Sequence, residues 1–200
     1  SSKELAKQIL NRAGQCVMTT PTSSLFSGST GDIKINLGKS LRYFGDGYQI
    51  SKIINGKRFW RIPVMDGEFV CEEYAYQQKA IGGGNFLVVG KDIDSVLKAS
   101  EVAVSKMKKL RNIILPFPGG IVRSGSKVGS KYKKLIASTN FEYCPTMRGL
   151  KKLKISANSG CVLEIVIDGL SIKDIEVAMR VGIKSILDLK DKKIFSISAG

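Results

Sequence analysis

Apolar and polar positions along the chain alternate in two distinct rhythms. Residues Ser1 to Arg12 carry Leu5, Ile9 and Leu10 roughly along one helical face, with Ser1 and Glu4 in capping-box spacing. Gly14 is expected to end that helix, Cys16 to Thr20 is a short strand candidate, and Thr22 to Lys39, rich in Ser, Thr and Gly, reads as a loop. Strand-like runs follow at Ser40–Ile50, Arg58–Val64 and Glu68–Tyr76. Asn55-Gly56 and Asp66-Gly67 are hairpin-turn dipeptides that link them into an antiparallel meander, and Gly45-Asp46-Gly47 predicts a bulge or sharp turn in the first strand.

The second half changes rhythm. Gly82-Gly83-Gly84-Asn85 precedes a buried-type strand, Phe86–Val89. A helix from Asp92 to Leu110 follows, striped by Ile93, Val96, Leu97, Val104 and Met107, and then a strand at Asn112–Leu115. The β-α-β order returns at Cys161–Ile167, Ser171–Leu187 and Lys193–Ser198, with Ile172, Ile175, Met179, Ile183 and Ile186 as the second stripe. Two such units beside antiparallel strands predict an α+β fold of ferredoxin-like, split β-α-β sandwich lobes. The expected division is residues 1–90, holding the meander, and 91–200, a ferredoxin-like lobe.

Composition narrows the class. The 200 residues are 43% hydrophobic and 24% charged, enough to bury a core. No apolar run reaches the roughly 18 residues of a membrane span, and the N-terminus lacks a secretory layout, so a cytoplasmic protein is the expectation. Cys16, Cys71, Cys144 and Cys161 form no C-x-x-C pair and read as free thiols. Histidine is absent, which excludes Ser-His-Asp and Cys-His mechanisms within the chain. A carboxyl, Lys, Tyr or Cys would have to move protons.

Charge is uneven. Of the net +15, the segment Lys98–Lys154 contributes +12, with fourteen Lys and Arg against Glu101 and Glu142. Such a field attracts polyanions, either nucleic acid or a small substrate with several carboxylates or phosphates. Within it, Pro116 to Lys131 holds four glycines, three serines and the cations Arg123, Lys127 and Lys131. Glycine permits close ligand approach, and Ser with backbone N–H groups can meet anionic oxygens. A surface loop has the same composition, and no Walker A loop, GxGxxG fingerprint or RNA-binding aromatic octamer is present.

The strand Cys161-Val-Leu-Glu-Ile-Val-Ile-Asp168 puts Val162, Glu164 and Val166 on one face and Leu163, Ile165 and Ile167 on the other. Glu164 is either an edge-strand acid facing water or a partly desolvated carboxyl, whose protonated form burial would favour. Cys144 lacks a histidine to activate it and is expected to be structural or to line a site.

Nine phrases in register carry a resemblance. They are Gly14-Gln-Cys-Val-Met-Thr-Thr-Pro-Thr22, Phe44-Gly-Asp-Gly-Tyr-Gln49, Gly83-Gly-Asn-Phe86, Pro116-Phe-Pro-Gly-Gly-Ile-Val122 running on to Ser126–Lys131, Ala137-Ser-Thr-Asn140, Tyr143-Cys-Pro-Thr146, Glu164-Ile-Val-Ile167, Ala178-Met-Arg-Val-Gly-Ile183 and Ile197-Ser-Ala-Gly200. Together they resemble the formylmethanofuran:tetrahydromethanopterin formyltransferase family over essentially the whole chain.

The resemblance implies two ferredoxin-like lobes, one of them incomplete here, since the family carries a further N-terminal segment and a short C-terminal tail. It implies formyl transfer between the amine of methanofuran and N5 of tetrahydromethanopterin, in archaeal-type one-carbon metabolism. No metal or prosthetic group is implied; the coenzymes are substrates. A homodimer or homotetramer with a cleft at a subunit interface is implied as well.

By the same resemblance Glu164 is the catalytic carboxyl. Gly83, Gly84, Asn85, Phe117, Gly119, Gly120, Arg123, Ser126, Lys127, Lys131, Ser138, Thr139 and Asn140 are the substrate-binding candidates. Two other readings stay open: a non-catalytic subunit of a formyltransferase/hydrolase complex, and a basic α+β nucleic-acid-binding module.

Overall fold

The computed structural model describes residues 2–28, 30–123, 134 and 140–199. It is a mixed α+β structure that divides into two compact units, Ser1–Lys79 and Ala80–Gly200.

In the first unit, helix α1 (Ser2–Arg12) runs on into a wide π turn at Ala13–Val17, closed by Met18 N–H on the Ala13 carbonyl at 2.9 Å. Gly14 therefore does not end the helix, and Cys16–Thr20 is not a strand. Gly14 is buried beside Leu41 and the Phe44 ring, where a Cβ would make ordinary contacts at 3.6–4.0 Å. The region read as a loop holds β1 (Ser24–Leu25), β2 (Ile33–Asn36) and the short helix α2 (Gly38–Leu41), followed by a 3₁₀ turn over Arg42–Gly45.

The strand expected at Ser40–Ile50 is thus replaced by helical backbone, and extended chain begins only at β3 (Ile50–Ile54). Leu37 and Leu41 explain the error. They are buried four residues apart, a helical period hidden in a short segment. The left-handed Asp46, φ 47°, closes a turn where a bulge or sharp turn was expected.

The meander itself is present as β3, β4 (Lys57–Val64) and β5 (Gly67–Glu72), antiparallel throughout. Asn55 and Gly56 both take positive φ, 51° and 76°, as a two-residue hairpin requires. The expected third strand splits at Glu73. Its second part, β6 (Tyr74–Gln77), pairs with β2, while β1 runs parallel to β5, giving the order β1-β5-β4-β3. Trp60 and Ile62 alternate with Arg61 and Pro63 along β4, and the buried pair joins Ala13, Leu37, Leu41, Phe69 and Cys71 in the core. Burial pushes the Cys71 thiol up to about 11.

The second unit contains β7 (Ile81–Gly90), α3 (Ile93–Met107), β8 (Ile113–Ile114), β9 (Cys161–Gly169), α4 (Ile172–Asp188) and β10 (Ile194–Ser198). Its sheet is antiparallel with order β10-β7-β9-β8. The strand β7 pairs with both β9 and β10, so residues 81–90 share the core of the later elements.

Phe86 and Val88 of β7 and Leu163, Ile165 and Ile167 of β9 face the helices, as strand alternation requires. The helix stripes are narrower than periodicity suggested. Ile93 and Ile172 are more than half exposed, while Ala99, Ser100, Ala103, Ala178 and Gly182 are buried. Small residues let α3 and α4 approach closely: a Cβ on Gly182 would stand 2.5 Å from Met107 Sδ.

Asp92 caps α3 by accepting from the Ser95 N–H at 3.0 Å. Backbone and side-chain hydrogen bonds from Ser95, then Lys193 at 3.3 Å, hold its carboxyl down at about 2. The folded value lies below the unfolded value of about 4, so the cap stabilises fully above that pH and its contribution disappears as pH falls through about 2. Asp92→Ala should lower Tm at neutral pH, and its deficit should close between about pH 4 and about pH 2 in thermal unfolding followed by circular dichroism.

Candidate active site

The face of the second unit's sheet that points away from α3 and α4 carries Asn85 and Leu87 from β7, and Val162, Glu164 and Val166 from β9. β9 is an inner strand, and Glu164 is 7% exposed. The reading of Glu164 as an edge-strand acid facing water is therefore overturned.

Its backbone is fixed from both sides. Leu87 stands opposite it on β7, and Val122 forms a bridge on the other flank, with Val122 N–H to the Glu164 carbonyl at 2.8 Å and Glu164 N–H to the Val122 carbonyl at 3.1 Å. That bridge is also what brings Arg123, the next residue, to the site.

The side chain lies among amide donors. Asn85 Nδ2 donates to Glu164 Oε1 at 2.7 Å, and Asn140 Nδ2 donates to Oε2 at 3.4 Å. A buried carboxyl needs such donors, because leaving its oxygens unsatisfied costs several kcal/mol, roughly 1–3 or more for a charged group. Around it opens a cavity of about 270 Å³. Leu87, Ile93, Val162 and Leu163 give it apolar walls; Arg123, Asn140, Tyr143 and Thr146 give it polar ones. The mixture suits a small organic ligand with a few polar groups.

A short polar run builds the roof. Two 3₁₀ turns, Phe141–Tyr143 and Pro145–Met147, carry Asn140 and Tyr143 over the sheet. The Tyr143 hydroxyl and Ser198 Oγ share a hydrogen bond of 2.9 Å, tying the roof to β10. Arg148 donates to the Ser156 and Ser159 carbonyls at 3.1 and 2.8 Å, closing the far side of the loop. Gly160 N–H reaches the Gly90 carbonyl at 3.0 Å, where a Cβ would stand 2.3 Å from the Lys91 carbonyl oxygen.

The predicted residues separate into three groups. Glu164, Asn140 and Arg123 line the cavity, and Asn85 stands behind it, joined to Glu164 by its hydrogen bond. Gly83, at φ 106° in the irregular start of β7, has open space where a Cβ would stand. Gly84 faces the helices instead, its missing side chain making room for Ile175 Cγ2 at 2.3 Å. Gly120 does likewise for Val104 and Leu115 at 3.0–3.2 Å, while Gly119, φ 70°, is open and Phe117 is 44% exposed on the same turn against α3. Ser126, Lys127, Lys131, Ser138 and Thr139 lie outside the described residues.

Tyr143, Thr146 and Cys161 line the cavity although sequence reasoning gave them no specific role, and Cys144 lines it, one of the two roles expected of it. The signal for Tyr143 and Thr146 was the short polar run after Asn140; Cys161 opens β9 and comes to the cavity with that strand. Cys144 Sγ contacts Thr146 Oγ1 at 3.0 Å, consistent with a lining residue. Burial first, then Asp92, raises the Cys161 thiol, with Arg123 opposing. Among the described residues no cluster of His, Cys, Asp or Glu has metal-binding geometry.

Fold and site thus define an α+β protein organised around a buried, amide-held carboxyl in a small-ligand cavity. Comparison with known proteins gives the family. Residues 67–200 match the family described as "FTR, proximal lobe", and residues 1–64 match "Formylmethanofuran-tetrahydromethanopterin formyltransferase". The formylmethanofuran–tetrahydromethanopterin formyltransferase of Methylococcus capsulatus is 57% identical over 99% of this chain and 67% of its own length. That of Methanocaldococcus jannaschii is 40% identical over 98% of the chain and 67% of its own length. The Methanosarcina barkeri enzyme structure superposes with a TM-score of 0.92 at 39% identity, covering all of this chain and 68% of that one. The chain belongs to the formylmethanofuran–tetrahydromethanopterin formyltransferase family and spans about two thirds of these relatives' length.

The roof tie can be tested alone. Tyr143→Phe removes the hydrogen bond to Ser198 and keeps the ring, so it should cost about 1 kcal/mol. Amide hydrogen exchange should rise in residues 141–147 and remain unchanged in α3.

Proposed function

We propose that the protein transfers a formyl group between the amine of formylmethanofuran and N5 of tetrahydromethanopterin, with Glu164 as the proton-transfer group. The observation that carries this reading is the buried Glu164 carboxyl opening onto the 270 Å³ cavity, in a chain of this family. The relatives in Methylococcus capsulatus and Methanocaldococcus jannaschii bear that enzyme's name. A second structural relative, 41% identical with a TM-score of 0.90, belongs to a formyltransferase/hydrolase complex of Methylorubrum extorquens in complex with methylofuran.

The chemistry follows from the demands of acyl transfer. Attack of N5 on the formyl carbon gives a tetrahedral intermediate with a developing oxyanion, and the N5 proton must leave. Expulsion of the methanofuran nitrogen requires a proton on that nitrogen, since an amide anion is a very poor leaving group. Glu164 in its protonated form donates to the leaving nitrogen; as the C–N bond breaks, its electron pair stays with that nitrogen. The carboxyl then regains a proton, the one released from N5, so it is unchanged over the cycle. Apolar walls strengthen its hydrogen bonds in either state. Arg123, exposed at the rim, meets an acidic part of a coenzyme, with Lys127 and Lys131 assigned to the same task by the loop's composition.

The order β10-β7-β9-β8, with a helix after β7 and after β9, supports a ferredoxin-like lobe for the second unit. Gly83, Phe117 and Gly119 are further candidates for coenzyme contact, and Ser126, Ser138 and Thr139 remain so on the resemblance alone. We assign the protein to a homo-oligomer in the cytoplasm; the relative within a formyltransferase/hydrolase complex supports assembly.

Formyl transfer between the two coenzymes by the full-length gene product tests the reading directly. Glu164→Gln should lower kcat tenfold or more while leaving KM within about threefold. A nucleic-acid module would instead be indifferent to that change and lose its binding steeply with salt. Arg123→Ala should raise KM for one coenzyme severalfold with kcat nearly kept; a loss confined to kcat would remove Arg123 from the binding role.

A further inference from the structure

Among the described residues two amides reach the Glu164 carboxyl, and their two contacts are unequal. Asn85, on the neighbouring strand, donates to Oε1 at 2.7 Å. Asn140, carried by the roof outside the sheet, reaches Oε2 at 3.4 Å. We infer that Asn85 is a positioning residue for the transfer: it holds Oε1 as the acceptor oxygen and so directs the carboxyl's proton to and from Oε2, on the Asn140 side. The inference deepens the reading of Glu164 as the proton-transfer group and rests on it.

A protonated carboxyl is asymmetric. One oxygen is a carbonyl acceptor and the other carries the O–H. An amide N–H at 2.7 Å is best accepted by the carbonyl oxygen, because the hydroxyl oxygen is the poorer acceptor. A neighbour that engages one oxygen closely therefore selects which oxygen bears the proton. A carboxyl held only by the roof would have no such preference, and its proton would be on the wrong oxygen in a share of turnovers.

The sheet makes this contact rigid. Asn85 pairs with Val166, and Leu87 pairs with Glu164, so Asn85 and Glu164 are diagonal neighbours on one face of adjacent strands. The Val122 bridge fixes the Glu164 backbone from the opposite flank. The backbone of neither Asn85 nor Glu164 can shift without moving the central pair of strands. Asn140 depends on the roof, whose tie to the sheet is the Tyr143–Ser198 hydrogen bond. The close contact thus sits on the rigid element, and the longer one on the side where a substrate must exchange a proton.

In the forward direction, Oε2–H gives its proton to the methanofuran nitrogen as the formyl C–N bond breaks, and the proton from N5 returns to Oε2. Oε1 keeps its Asn85 hydrogen bond throughout. No proton or electron pair is left over, and no further reactant is needed.

The test uses the full-length protein with three variants. Asn85→Ala deletes the amide; Asn85→Asp keeps its shape and replaces the N–H donor with oxygen. Both should lower kcat tenfold or more and leave KM for each coenzyme within about threefold. A shape-only role predicts that Asn85→Asp retains full activity, and a coenzyme-binding role predicts a rise in KM; either result overturns the inference.

A readout independent of turnover is the ¹⁵N–¹H signal of the Asn85 side-chain amide, assigned by its loss in Asn85→Asp. Its proton should shift upfield in Glu164→Ala, where no side-chain oxygen remains to accept from Asn85. A signal indifferent to that change overturns the inference even if the Asn85 variants are slow. If the wild-type protein transfers no formyl group, the functional reading falls, and the amide signal alone decides whether Asn85 holds the carboxyl.

Discussion

Glu164 occupies an inner strand at 7% exposure, and much of the second unit is arranged around making that tolerable. A carboxyl removed from water must receive hydrogen bonds in return. Asn85 supplies one from the adjacent strand, and Asn140 supplies another from the roof. The roof must therefore be held, which gives a physical reason for the Tyr143–Ser198 tie and for the Arg148 contacts that close the loop. The backbone bridge to Val122 is part of the same arrangement, since it steadies the strand at the residue whose side chain is most costly to bury.

The two faces of this sheet have different tasks. One is packed against α3 and α4 through small residues, and Gly84 and Gly182 exist there because a side chain would collide with Ile175 or with Met107 and Phe86. The other holds the carboxyl and the cavity. Strand alternation separates the two along β9: Ile165 and Ile167 pack into the core, while Glu164 faces the ligand space. Along the sequence, +12 of the chain's +15 falls between Lys98 and Lys154, a charge suited to coenzymes with acidic groups.

Legibility in the sequence followed the range of the interactions. Strong local patterns were readable: both β-α-β units, the Asn55-Gly56 hairpin and the face carried by Glu164. The errors cluster at residues 13–50, where the decisive contacts are distant in sequence. Gly14 was read as a helix stop, whereas the chain continues through it, buried beside the distant Leu41 and Phe44. Residues 40–45 were read as strand because a single helical turn is too short to declare its period. The site was half legible. Asn85, Asn140 and Arg123 were selected as ligand contacts by their phrases; that two of them reach Glu164 depends on strand register and on a loop crossing.

The sequence by itself determined the α+β class, the absence of histidine chemistry, the basic field and the family, because these rest on composition, local periodicity and residue phrases that survive without coordinates. Only the tertiary structure decided which glycines serve packing and which remain open, and that Glu164 is buried. Pairing β7 with β9 sets Asn85 diagonal to Glu164, and folding the roof over the sheet brings Asn140 to the same carboxyl from 24 residues away in the chain. Such a meeting is fixed by sheet register and loop closure, and no local pattern encodes either.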